Sequence, residues 1–248
     1  MRIAIEDVTK SFGRMHALDK VKLPIDPGQV IVLLGSNGAG KTTLLNCLGA
    51  VYVPTEGRIL FDDEPLERTR IDLRRRLMLL PDFPFVQPEA TLIDHIGMTL
   101  RIWETDLEGM EDKVIGLLED FDLLPLAETK ASSLSRGQLY KTAVVGMIAV
   151  DPDLWMLDEP FASGMDPHGL TAFRRHARAA AERGRTVLYT TQILELAEEF
   201  SDRVCIIHEG KVHAFDHLDA LRSPEHGDGR VLEPILRQLA EETDHGQA

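Results

Sequence analysis

The sequence predicts an α/β fold with a parallel core sheet, an N-terminal antiparallel β flank and an inserted helical subdomain. Three observations carry this prediction. Short apolar runs that do not alternate recur along the chain, a glycine-rich loop joins one of them to a helical pattern, and a proline-rich loop opens a long helical interval in the middle.

Residues 2–8 and 58–62 alternate apolar and polar side chains like exposed strands, and residues 21–25 offer a third, which gives the antiparallel flank. Residues 29–34 form an apolar run bounded by Pro27-Gly28 and Gly35, as expected of a parallel strand covered on both faces. A helix follows over 42–48. Further apolar runs at 77–80, 154–157, 186–189 and 204–207 supply the remaining parallel strands, with helical patterns between most of them. Between about 83 and 150 the pattern changes. Pro81, Pro84 and Pro88 stiffen a loop, Thr91-x-x-Asp94 reads as a capping box, helical segments reach Leu124, and another helix runs toward Val150. After His213 the chain turns polar, Gly227-Asp228-Gly229 breaks it, and residues 231–242 suit one amphipathic helix. The expected division is one domain over 1–220, with its helical subdomain at about 83–150, and a tail over 221–248.

Bulk composition narrows the function. The 248 residues carry 41 acids against 27 Lys and Arg, a formal charge of −14, which argues against a nucleic-acid surface. Arg74-Arg75-Arg76 is too short a run to reverse this. Cys47 and Cys205 sit in apolar patterns, so buried reduced thiols and a reducing, cytoplasmic compartment are expected. The longest uninterrupted apolar segment, 143–150, falls far short of the ~18 residues of a membrane span, and no basic, apolar leader is expected at the N-terminus. No direct membrane insertion is expected, and any membrane role is borrowed from a partner.

Three segments carry chemistry. Gly35-Ser36-Asn37-Gly38-Ala39-Gly40-Lys41-Thr42 is a complete G-x4-G-K-[ST] loop, whose backbone N–H groups wrap nucleotide phosphates while the lysine reaches the outer ones. It predicts binding of a nucleoside triphosphate. The run 154–159 ends in Asp158 and Glu159, placing carboxylates where a magnesium ion and an attacking water sit; Asp158 is the better metal candidate and Glu159 the better base. Leu134-Ser135-Arg136-Gly137-Gln138 opens a helix and offers a second anion-binding end, although alone it is an ordinary N-cap.

In this order the motifs resemble the nucleotide-binding subunit of ATP-binding cassette (ABC) transporters, over about residues 2–215. The segment 134–138 is similar to the family signature, 154–159 to its Walker B strand, and Ser163-Gly164-Met165-Asp166 to its D-loop. The resemblance implies a P-loop NTPase fold with a RecA-like core sheet, ATP and Mg2+ as ligands, and head-to-tail pairing of two subunits, so that each ATP lies between one phosphate loop and the opposite signature. It implies nucleotide contacts from Phe12, Gly35, Ser36, Asn37, Gly38, Ala39, Gly40, Lys41, Thr42, Thr43, Ser135, Gly137, Gln138 and Asp166. Phe12 matches the adenine-stacking position, with a core phenylalanine at a strand end as the alternative. Metal contacts fall to Thr42, Asp82 and Asp158, and catalysis to Glu159, Lys41 and Gln192.

Two positions depart from the family pattern. Asp82 stands where glutamine is expected, and Gln192 where histidine is expected; a carboxylate adds charge beside the γ-phosphate, and an amide cannot become cationic. Slow or partner-dependent hydrolysis is the consequence drawn. Arg136, where glycine is common, is a milder departure. Phe83 and Phe85 lie where such subunits receive their membrane protein, with packing onto the helical lobe as the alternative. Residues 192–204 resemble the drug and polysaccharide exporter branch, the ABC-2 type. The implied partners are a second ATPase subunit, identical or different, and an integral membrane permease, which places the chain at the inner face of the cell membrane. The competing readings are a regulatory subunit with weak or no hydrolysis and a soluble, non-transport ABC ATPase. His208, His213 and His217 read as strand-end histidines rather than a metal site.

Overall fold

The computed structural model describes residues 1–221 and Leu232. In chain order the elements are β1 (Ile3–Phe12), β2 (Met15–Ile25), β3 (Val30–Leu34), α1 (Lys41–Leu48), β4 (Glu56–Phe61), β5 (Glu64–Pro65), α2 (Ile71–Arg74), β6 (Leu77–Leu80), α3 (Leu92–Ile102) and α4 (Met110–Asp120). They continue with α5 (Arg136–Val150), β7 (Leu154–Leu157), α6 (Pro167–Glu182), β8 (Thr186–Thr191), α7 (Leu194–Phe200), β9 (Arg203–His208), β10 (Lys211–His217) and α8 (Leu218–Leu221).

The strands of the described residues form two sheets. One is an antiparallel flank in the order β2-β1-β4-β5, and the other runs β10-β9-β3-β8-β7-β6, parallel except where β10 closes its edge against β9. The unalternating apolar runs are explained by burial on both faces. In β3, Val30, Val32 and Leu34 join a core shared with α3 to α6, whereas Ile31 and Leu33 join a second core shared with α1 and the flank. None of the five exposes any surface. Burial of each such side chain stabilises the fold by roughly 1.5–3 kcal/mol relative to exposure, so both layers depend on this one strand. In β1 the alternation expected of a half-covered strand appears as burial of Ile3 and Ile5, with Ile3 paired to Ile25 on one side and Phe61 on the other.

The helical interval is built by its caps. Thr91 Oγ1 accepts the Asp94 N–H at 3.2 Å while Asp94 Oδ2 accepts the Thr91 N–H at 3.0 Å, closing the expected capping box ahead of α3. A second box opens α5, where Ser135 Oγ accepts the Gln138 N–H and Gln138 Oε1 accepts the Ser135 N–H. Ten of the fifteen α5 residues are buried, which is why its sequence shows no polar face.

Two expectations need correction. The sequence pattern predicts no strand after residue 207, but β10 runs from Lys211 to His217 and pairs with β9 through a turn at Glu209 (φ 46°) and Gly210 (φ 76°), both left-handed as a tight hairpin requires. The flank strands also reach further than the alternation indicated, to Phe12 in β1 and back to Met15 in β2. The helix expected over 231–242 lies outside the described residues except Leu232, which is buried and donates its N–H to Glu198 Oε1 at 3.1 Å.

Candidate nucleotide site

Parallel sheets gather chemistry at the carboxyl ends of their strands. Here β3, β8, β7 and β6 lie side by side, so the loop 35–40, Gln192, Asp158-Glu159 and Asp82 all emerge at one edge. The loop turns into α1 at Gly40, whose φ of 110° suits only glycine and whose added Cβ would lie 2.7 Å from the Ala17 carbonyl oxygen. No side chain caps α1, which leaves its N-terminal N–H groups and dipole facing the loop.

Lys41 is buried beneath this loop. Its Nζ donates to the carbonyl oxygens of Gly35 at 2.8 Å and Ser36 at 3.1 Å, and stands 3.7 Å from Glu159 Oε1. Burial lowers the Lys41 pKa against the opposing pull of Glu159 and Asp158, and burial raises that of Glu159 against Lys41 and a hydrogen bond from Gln192. Both shifts share one cause: each charge is removed from water without full compensation. Asp158 Oδ2 accepts the Thr42 hydroxyl at 2.8 Å, and Oδ1 accepts the Thr190 hydroxyl at 2.7 Å. Gln192 Nε2 donates to Asn37 Oδ1 at 2.9 Å, tying the end of β8 to the loop.

A groove of about 520 Å³ runs over these groups, lined by Phe12, Met15, His16, Ala17, Asn37, Gly38, Ala39, Gly40, Lys41, Thr42, Thr43, Glu159, Glu209 and Gly210. Phe12 is not a core residue. It is 42% exposed, meets Tyr52 edge-on with centroids 5.4 Å apart, and carries Lys10 Nζ 5.2 Å from its ring centre. Lys10 also donates to the Val53 carbonyl at 2.8 Å, which fixes it over both rings.

Gly35, Ser36, Asp158 and Gln192 border the groove without lining it, through their bonds to Lys41, Thr42 and Asn37, and Ser135, Gly137, Gln138, Asp166 and Asp82 do not line it either. Ser135 and Gln138 close the α5 capping box. Gly137 packs so closely on the backbone of 164–165 that an added Cβ would lie 2.1 Å from the Gly164 carbonyl oxygen. Asp166 caps α6 by accepting the Gly169 N–H at 2.7 Å and pairs with Lys141 at 2.8 Å. The Asp82 carboxylate rests on Arg136 Nη2 at 2.5 Å, so the two departures at 82 and 136 are paired with each other. Sequence reading missed Thr190 and the Lys10–Tyr52 support of Phe12; the only signal for Thr190 is a hydroxyl pair ending an otherwise apolar strand.

Both cysteines are free and buried, with burial pushing the Cys47 thiol up to about 11 and Cys205 up to about 12. Phe83 and Phe85 are 61% and 91% exposed, while Pro84 between them is buried and Asp82 before them pairs with Arg136 at the start of α5.

The ABC transporter family matches residues 18–162. The chain is 33% identical over 221 residues to the Nod factor export ATP-binding protein I of Bradyrhizobium diazoefficiens, covering 89% of this chain and 72% of that protein. It is 28% identical over 240 residues to the ABC-type transporter ATP-binding protein EcsA of Bacillus subtilis, covering 97% of each. A solved ATP-binding subunit of an ABC transporter superposes with a TM-score of 0.89 at 26% identity, over 97% of this chain and all of that one. The chain therefore belongs to the ABC transporter ATP-binding family.

Proposed function

We propose that this subunit hydrolyses ATP to drive export through a separate integral membrane permease, by closing head-to-tail on a second ATPase subunit. The observation that carries the reading is the division of the site. The groove holds Lys41, Thr42 and Glu159, with Asp158 beneath Thr42, yet none of the signature residues lines it. A triphosphate lying there keeps one side free for the α5 N-terminus of a facing subunit. Ser135 and the N–H groups near Gly137 then donate to its γ-phosphate, where a helix dipole favours negative charge. The working unit is the domain over 1–220, whose helical lobe at about 83–150 presents the signature.

Within each half-site the residues divide the work. Phe12 stacks on the base, the N–H groups of 35–43 hold the phosphates, and Lys41 exchanges its loop carbonyl partners for phosphate oxygens. Thr42 and Asp158 present oxygen donors only, a set that fits Mg2+, which when bound offsets phosphate charge as a Lewis acid. Glu159 orients and deprotonates the attacking water, and Gln192 donates to the γ-phosphate. Asp166 acts across the same interface. Asp82 reaches the metal only after leaving Arg136.

Among the described residues no helix is long and apolar enough to cross a membrane. The chain docks instead at the inner face of the membrane, with Phe83 and Phe85 as anchors for the permease. Relatives named for export support that direction. A second reading, a subunit that closes on ATP but turns it over weakly, is favoured by the Asp82–Arg136 pairing and by the uncharged Gln192. Steady-state ATPase of the purified chain, alone and with the membrane protein that co-purifies with it, tests both. Turnover abolished by Lys41→Ala and Glu159→Gln and raised by the partner supports the motor; turnover equal in all three forms excludes it.

A further inference from the structure

Asp158 and Glu159 are held by a hydroxyl that none of the motifs contains. Thr190 exposes no surface and lies near the carboxyl end of β8, between β3 and β7. Its Oγ1 donates to Asp158 Oδ1 at 2.7 Å and accepts the Glu159 N–H at 2.8 Å. The roles are fixed. A hydroxyl has one proton, Asp158 takes it, and the lone pairs are left for the backbone N–H. Glu159 stands at φ 47° and ψ 50°, a left-handed conformation unfavourable for any residue with a Cβ, and its side chain faces Lys41. One bond therefore restrains a strained peptide while the other sets the Asp158 carboxylate, whose second oxygen meets Thr42. Phe161, two residues beyond Glu159, packs edge-on to Tyr189, the residue before Thr190, with centroids 5.4 Å apart, which gives β8 and the 160–162 turn a second contact.

We propose that Thr190 is a positioning residue for ATP hydrolysis: its single hydroxyl aims the Asp158 carboxylate toward the metal position and holds the Glu159 backbone where its side chain meets the water. This rests on the roles given to Asp158 and Glu159 above. Removing the hydroxyl leaves a half-buried N–H without this acceptor and a buried carboxylate oxygen without this donor, in the two groups that the reaction needs aligned. The rest of the groove, including the phosphate loop, is untouched.

The test uses the full chain with Thr190→Val, nearly equal in volume and lacking the hydroxyl, and Thr190→Ser, which keeps it. Binding of a fluorescent ATP analogue is measured in EDTA and then across a Mg2+ titration, beside kcat, KM and melting temperature. Thr190→Val is expected to bind nucleotide in EDTA within about twofold of wild type. It should need roughly fivefold more Mg2+ for half-maximal response and lose about tenfold or more in kcat, with KM changed less than about threefold. Thr190→Ser should recover most of both losses. Should Thr190→Val not fold, Thr190→Cys replaces it under the same criteria. A folded hydroxyl-free variant with kcat and Mg2+ midpoint within about twofold of wild type overturns the proposal, as does a serine variant impaired as badly as the valine one. A wild type whose nucleotide binding ignores Mg2+, and whose turnover survives Glu159→Gln, overturns the parent reading as well.

Discussion

Gly137→Ala separates the signature's packing from the chemistry of the phosphate loop. An alanine Cβ at 137 would lie 2.1 Å from the Gly164 carbonyl oxygen and 2.8 Å from its carbon. Carbon and carbonyl oxygen approach no closer than about 3.3 Å even in favourable contacts, so one backbone must retreat by roughly 1.2 Å. Neither yields freely. Gly164 sits at φ 85°, and Asp166 just beyond it is tied to Lys141 on the same helix as Gly137. Overpacking of this kind costs about 1–3 kcal/mol. For a chain of this size that lowers the melting temperature by roughly 2–12 °C. Scanning calorimetry reads the stability, a fluorescent nucleotide reads the groove, and sedimentation reads association. The expected result is a less stable chain that binds nucleotide as wild type does but no longer dimerises with ATP, because the α5 N-terminus has moved. An unchanged melting temperature together with unchanged ATP-dependent association would mean that the contact between 137 and 164 constrains neither packing nor pairing.

Three further outcomes follow from the same geometry. Gln192→His should raise kcat by about five- to tenfold, since a charge-assisted hydrogen bond to the γ-phosphate is worth roughly 1–1.5 kcal/mol more than an amide's; equal ATPase rates would contradict it. Asp166 has its pKa lowered from 3.8 by its hydrogen bond from Lys141 and by the Gly169 N–H. Its stabilising contribution is therefore present above pH 3.8 and lost as pH falls through the depressed value, so acid denaturation of Lys141→Met should begin at higher pH than that of wild type. Both thiols should resist an aromatic disulfide reagent in the native chain and yield two equivalents in denaturant; rapid native labelling would contradict their burial.

The contiguous parts of this molecule were legible in its sequence and the cross-chain parts were not. Residues 35–42 announce themselves because loop, lysine and helix start are neighbours along the chain, and β3 announces itself because burial on both faces forces five apolar residues in a row. Thr190 stayed hidden because its partners lie 31 and 32 positions away, across a strand pairing that no local pattern encodes. The same holds for Asp82 and Arg136, 54 positions apart: each looked like an isolated departure until the fold put them together. Gly137 was readable as a signature glycine, but its close contact with the Gly164 carbonyl, which an added Cβ would overlap, was not. The β10 edge was missed because an edge strand with one covered face tolerates polar residues such as His213, Asp216 and His217.

In the proposed closed state, ATP joins the groove of one subunit to the α5 N-terminus of another. Sedimentation of Glu159→Gln with and without Mg2+-ATP measures this directly, because binding is kept while release by hydrolysis is blocked. The expected product is a dimer that forms only with ATP and is abolished by adding Ser135→Arg at the facing end. A chain that binds ATP under these conditions yet sediments as a monomer would contradict it.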